Sequence, residues 1–481
     1  MRPILLALSL LAATSAAACA ASAPGALPRA VAAAPFEDGV AVEVIRDGDR
    51  WTVDYDLDRD APVWVFRRSA LIAEARRAWR QDQWRVLTPG VVMERRGGYD
   101  LIRSADAGPV PRRVRFAMSP APADLEADYD PALLFSDGSV ALFSDQFDVI
   151  PLGSVREAAA LPLDLNTVRI DGGPSRVTWR DRAGPVLLEG ERVSDAVTRD
   201  AQTYVLFGRP RVIEGERLNT VVDPALPPWI AAEIGDLAPR VADFYARRLG
   251  PGPRAKPTVM RNWTGPTAGM TSMGGGVVPG LITMTFEGSG VVTRSDEVLA
   301  VSRWFVAHES AHFWLGQAVR YEYARDAWIT EGGADLMAVR ALAALNPVYD
   351  PRVELQKSVD DCIDLARGRA VATAAERGEH RAYYACGAVW ALAAEGAVRQ
   401  RGGENWFDFL RPLLDANRGD GVLTREEWLT ALTRASRDPS LRVDIGRMLD
   451  QGVADPGAVL ERLFDRTGVA YRREAGRVVL R

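Results

Sequence analysis

Between about Phe36 and Asn219 apolar and polar residues alternate in short runs, the period-two signature of half-buried strands. Val40 to Ile45, Trp51 to Tyr55, Val63 to Phe66, Val140 to Phe143 and Thr203 to Phe207 are such runs. Arg96-Gly97-Gly98 and Asp137-Gly138 read as turns between them. The pattern predicts an antiparallel β-domain interrupted by one helix over Ala70 to Arg80. Near Asp223 the period changes. Trp229 to Tyr245 carries apolar positions at helical spacing behind Pro227 and Pro228. The same spacing recurs over 296–315, 331–345, 382–400, 406–417 and 424–436, with a strand expected around Leu281 to Phe286. The fold class is therefore α+β and multidomain: a β-rich domain over 36–222, a mostly helical domain over 223–440, and a short helical and strand extension over 441–481.

The N-terminus has a pattern of its own. Arg2 precedes the apolar run Ile4 to Leu11, and the small residues Ala16, Ala17 and Ala18 follow. A charged start, a short apolar core and an A-x-A site predict a secretory signal peptide over 1–20, then an Ala/Pro-rich leader over 21–35. The expected location is periplasmic or secreted. Cys19 leaves a second reading open, because Ala16-Ala17-Ala18-Cys19 faintly resembles a bacterial lipoprotein signal, which would supply a lipid anchor; that signal usually has Leu where Ala16 stands. No later stretch is long and apolar enough to span a bilayer.

Composition narrows the classes. Of 481 residues 47% are hydrophobic and 26% charged, which is globular usage and excludes a wholly disordered chain. With 59 basic against 64 acidic residues, a net charge of −5, nothing points to a nucleic-acid partner. Three cysteines are too few for a disulfide scaffold or a Cys-rich zinc module, and with only three histidines their placement matters.

Two of those histidines fall in His308-Glu309-Ser310-Ala311-His312, H-E-x-x-H inside a helical pattern. Residues four apart share a helix face, so both imidazoles reach one metal while Glu309 stands beside it to act on water. Catalytic zinc takes three protein ligands and keeps one open position. Glu331, opening the next helical pattern, is the natural third ligand, which gives one zinc ion per chain. Asp335 lies four residues on and shares that face; it is assigned to orient a ligand histidine, with a solvated helix charge as the alternative.

The sequence around these residues resembles the gluzincin metallopeptidases of the M1 aminopeptidase family. Val306 to Gly316 is similar to that family's motif helix, including Trp314 two residues after the second histidine. The family has eighteen residues between that histidine and the ligand glutamate, and eighteen separate His312 from Glu331. Asp326-Ala327-Trp328 resembles the family's approach to the glutamate, and Tyr384-Ala385-Cys386-Gly387-Ala388 its Tyr-x-x-Gly-Ala motif. The likeness spans about residues 224–437. It implies a thermolysin-like catalytic domain acting on a peptide or protein substrate, with His308, His312 and Glu331 on zinc. It also implies Glu309 as general base, Tyr384 as the donor to the oxyanion, and Gly274, Gly275 and Gly276 along the substrate. Two departures stand out. The family's Gly-x-Met-Glu-Asn motif falls on Gly274 to Val278, so Val277 replaces the glutamate that holds the substrate's free amine. The β-domain shows no counterpart of the motif that supplies a second amine-binding residue. The resemblance carries zinc chemistry and leaves exo- versus endopeptidase action open.

Two other classes stay in play: a non-catalytic binding protein that keeps a structural zinc site, and a zinc hydrolase of a non-peptide bond. The presence of both a base and a tyrosine argues against the first. Export into an oxidising compartment predicts a disulfide between Cys362 and Cys386, with two buried thiols as the alternative. Asp415 to Glu426 hints at a calcium loop, but its glycine comes one place late and Gly419 takes a ligand position. His380 reads as a helix-start residue, with a substrate contact as the alternative.

Overall fold

The computed structural model describes residues 39–481 except 74, 127, 163–164, 166–167, 216–217 and 253–255. The expected signal peptide, the leader and Cys19 lie outside the described residues. The protein is mixed α/β, with β-sheets in its first part and a largely helical region after them.

Three sheets make up the first part. The six-stranded one has at its centre the hairpin Ala41–Asp47 and Arg50–Asp56, where Val42 faces Tyr55 and Val44 faces Val53 on the buried side. The period-two pattern thus becomes one apolar face, closed by Trp64, Phe66, Trp84, Phe116 and Trp179. Two expectations need correction. The sheet is not wholly antiparallel, since Ala41–Asp47 runs parallel to Arg176–Asp181. A parallel neighbour needs a long crossover, and the intervening chain supplies one. Nor do the described residues of Ala70 to Arg80 form a helix: they make isolated bridges, and of them only Arg80, in Arg80–Gln83, is helical. Arg80 is fully buried, paired with Asp100 at 3.1 Å and donating to the carbonyls of Arg68 and Gln146. Burying that guanidinium fixes the segment more strongly than helix propensity does.

The helical part contains a five-stranded sheet in the order 212–214, 219–222, 258–265, 281–287, 272–278. The strand expected near Leu281 is its fourth, Leu281–Glu287; Ser272–Val278 is the antiparallel edge strand beside it. Thr258–Gly265 was not legible as a strand because it buries the polar residues Arg261 and Asn262. Helices Pro228–Leu249, Asp296–Ala311, Trp328–Leu345, Pro351–Ala366 and Arg381–Arg399 pack on one large core that runs on into 441–481. There Leu441, Ile445, Leu460 and Phe464 are buried, before a terminal hairpin, Tyr471–Glu474 and Arg477–Leu480. A separate apolar cluster joins the two parts: Tyr129, Leu133, Phe143 and Leu206 meet Val221, Met260, Val278 and Leu281. Among the described residues no helix is long and apolar enough to cross a membrane.

Candidate metal centre

Two helices bring the histidines and the glutamate together. Asp296–Ala311 begins at Ser295, whose hydroxyl accepts from the Val298 N–H, with Asp296 and Glu297 in the first turn. Its last turn carries His308 and Glu309, and His312 caps its end. Trp328–Leu345 places Glu331 in its own first turn, where a carboxylate suits the helix dipole. His308 Nε2 lies 3.1 Å from His312 Nε2, and Glu331 Oε2 lies 3.6 Å from the first and 3.4 Å from the second. All three side chains are buried, and among the described residues they are the one His/Cys/Asp/Glu group placed to hold a metal ion.

The outer nitrogens settle what the inner ones present. His312 Nδ1 donates to the Leu315 carbonyl at 2.7 Å. His308 Nδ1 is 2.8 Å from Asp335 Oδ1, a charge contact short of a linear hydrogen bond. In the neutral imidazoles a proton on each Nδ1 leaves a lone pair on each Nε2, and the two Nε2 atoms stand 3.1 Å apart. Both Glu331 oxygens and Glu309 Oε2 are buried and bonded to no described residue. Two lone pairs and an unsatisfied carboxylate facing one point fit a divalent cation, and two imidazoles with one carboxylate are a zinc donor set. Without a metal the site draws protons. Burial would lower the His312 pKa, but the Glu331 carboxylate outweighs it and raises it, while burial raises the Glu309 carboxyl above its usual range.

Aromatic rings flank His308. Tyr384 is stacked near it at 5.7 Å between centroids, and Trp304, one turn earlier on the same helix, at 5.0 Å. Tyr384 comes this close because its helix, Arg381–Arg399, crosses Trp328–Leu345 backbone to backbone. A methyl group built on Gly332 would stand 2.1 Å from the Gly387 carbonyl carbon, and one on Gly387 2.3 Å from the Trp328 carbonyl oxygen. Cys386, beside Gly387, is bonded to Cys362 of Pro351–Ala366, with 4.7 Å between their Cα atoms.

Other candidates fall elsewhere. Gly274, Gly275 and Gly276 lie in the edge strand Ser272–Val278, and a side chain on Gly275 would strike the Thr283 carbonyl. Val277 is buried in the helical core, and its carbonyl accepts from the Tyr129 hydroxyl at 2.6 Å. His380 is the N-cap of the helix carrying Tyr384. In the declined calcium loop Asp420 accepts from the Val422 N–H and Asp415 pairs with Arg418. Sequence reasoning missed Trp304, Tyr129 and Arg381; the last pairs with Asp335, a contact no spacing announces.

Fold and site together define a mixed α/β, multidomain protein with a buried His/His/Glu cluster placed to hold a metal ion. No protein-family model matches the chain, and no curated protein matches it. Solved structures share its fold. An aminopeptidase N family protein from Idiomarina loihiensis superposes with a TM-score of 0.59 at 11% identity, over 88% of this chain and 78% of that one. Leukotriene A4 hydrolase from Saccharomyces cerevisiae gives 0.50 at 12% identity, over 89% and 72%. An M1 zinc metallopeptidase from Deinococcus radiodurans gives 0.47 at 15%, over 87% and 95%.

Proposed function

We propose that the chain is a zinc-dependent peptidase, exported by a signal peptide over 1–20, with a β-domain over 36–222 and a thermolysin-like catalytic domain over 223–440. The observation that carries this is the convergence of two Nε2 lone pairs and the unsatisfied Glu331 carboxylate, with the Glu309 carboxylate beside them. His308, His312 and Glu331 would hold the metal. A zinc ion held there would supply Lewis acidity that brings the deprotonation of water toward neutral pH.

The remaining work belongs to the chain. The Leu315 carbonyl and Asp335 hold the two imidazoles in the tautomer that points Nε2 inward. Glu309, whose burial raises its affinity for a proton, takes the water's proton and passes it to the leaving amine. Tyr384, stacked near His308, donates to the oxyanion that develops on the scissile carbonyl. Depth helps: with Glu309 6% and Glu331 2% exposed, these charges act in a poorly screened site.

Glu309→Gln tests the assignment, because it removes the proton acceptor and leaves the three ligands. The variant should bind zinc as the wild type does and cleave a peptide library about 10²–10⁴-fold more slowly. Wild-type rates in a zinc-loaded Glu309→Gln protein would remove Glu309 from the role of base. A wild-type protein that takes up no zinc would end the peptidase reading.

A further inference from the structure

Building on that zinc reading, we propose that Arg381 is a positioning residue for the metal centre, acting on His308 through Asp335. Asp335 is engaged from two sides: Oδ1 stands 2.8 Å from His308 Nδ1, and Oδ2 stands 3.5 Å from an Arg381 guanidinium nitrogen. Arg381 is itself anchored, its Nε donating to Asp361 Oδ2 at 2.9 Å. A charge chain thus runs Asp361, Arg381, Asp335, His308, from a side chain 32% exposed to one 3% exposed. It joins four helices, and it does so where the disulfide clamps two of them: Asp361 adjoins Cys362, and Arg381 opens the helix that carries Tyr384 and Cys386.

Charge balance explains why a cation belongs there. Glu309, Glu331 and Asp335 are three buried carboxylates around one metal position. Zinc answers two of the charges, and the guanidinium answers the third from behind. Without it the Asp335 carboxylate, 4% exposed, would keep His308 as its remaining partner while two other buried acids stand around the same position. A carboxylate so placed turns toward solvent, and Nδ1 of His308 loses the group that fixes its tautomer and ring direction. A guanidinium suits the post because its planar fork serves two carboxylates at once, which a lysine does only as a point charge.

The test measures zinc affinity of the full chain by competition with a chromophoric chelator, beside thermal unfolding as a check on fold. Arg381→Met should weaken zinc binding about 10–100-fold, the usual loss when a partner behind a ligand is removed. Arg381→Lys should recover part of it, and Asp361→Asn should show a smaller loss in the same direction. Added to Asp335→Asn, neither Arg381→Met nor Asp361→Asn should cost anything further, since both act through that carboxylate. Wild-type affinity in a folded Arg381→Met protein, or losses that add in the double variant, would overturn the proposal. Should Arg381→Met not fold, wild-type affinity in both Arg381→Lys and Asp361→Asn would overturn it equally. A chain that binds zinc with these affinity ratios and cleaves no peptide would refute the peptidase reading and leave Arg381 in its place.

Discussion

His308 and Glu331 hold each other's charge. Burial alone would strip the proton from His308, but the carboxylates of Asp335 and Glu331 outweigh it and push its pKa up to about 10. Burial would likewise raise Glu331, yet the imidazoles of His312 and His308 bring it down to about 2. A histidine raised in the folded state lends stability that is complete below its ordinary value of 6.5 and lost as pH climbs through about 10. The depressed Glu331 works with the opposite sign: its share is present above its ordinary 4.5 and lost as pH falls through about 2. From these two groups the metal-free chain should be most stable between about pH 4.5 and 6.5 and weaken toward pH 10. Zinc supplies positive charge without a proton, so it should flatten the alkaline decline. Thermal unfolding across that range, with and without zinc, reads both effects; a metal-free Tm that is level from about pH 7 to pH 10 would count against the coupling.

Val277 makes the second residue-scale prediction. A peptidase that selects a chain's end places a carboxylate against the free ammonium, a contact of about 1.5–3 kcal/mol, or roughly ten- to a hundredfold in rate. Val277 supplies none: its side chain lies in the helical core. Matched peptides with free and acetylated N-termini should therefore be cut at similar rates. Cleavage confined to the free-amine peptide would mean that another carboxylate, such as Glu287, has taken the part.

At the scale of elements, spacing in the sequence has a physical cause in the structure. A glycine stands one turn after Tyr384 because Gly387 is where two helix backbones touch. Gly387→Ala drives a methyl into the Trp328 carbonyl, and overpacking of this kind costs about 1–3 kcal/mol. It should also lower turnover, since the helix that moves carries Tyr384; denaturant unfolding and peptide cleavage measure the two losses. The Cys362–Cys386 bond closes a separation of 24 residues across the same bundle, which loop entropy values at about 3 kcal/mol. Denaturing thiol counts should find neither sulfhydryl free, and reduction should lower the Tm; two free thiols would decide for the alternative.

Elements also show where legibility ends. The helix over 296–311 could be read because its apolar spacing and its metal ligands fall on one chain segment. The edge strand Ser272–Val278 could not, because three consecutive glycines carry no side-chain alternation. The misread helix near Ala70 failed for the reverse reason: its residues have helical spacing, but the seat of Arg80 is built from residues as far off as Asp100 and Gln146. Within the site, ligands four or nineteen positions apart obey local geometry and left a trace. Arg381 reaches Asp335 across 46 positions, and only folding brings such a pair together.

For the whole molecule, the two parts are not independent modules. The apolar seam of Tyr129, Leu133, Phe143 and Leu206 against Val221, Met260, Val278 and Leu281 buries a face of the second sheet. The Tyr129 hydroxyl pins the edge strand at Val277 from outside. Residues 223–481 made alone would expose Met260, Val278 and Leu281 and lose the strand Asn219–Val222 that pairs with Thr258–Gly265. That fragment should be poorly soluble, and supplying residues 36–222 in trans should recover some of it; a soluble, monomeric, zinc-binding fragment would show that the seam is dispensable.

The seam also sets an order of events. A chain leaves the ribosome, or a secretion channel, with its N-terminus first, and early units can fold before later ones arrive. The sheets that contribute Tyr129 to Leu206 are complete before Met260 emerges. The apolar face of the second sheet should therefore meet its complement as it is made, with the first half serving as a template for the half that carries the candidate metal site.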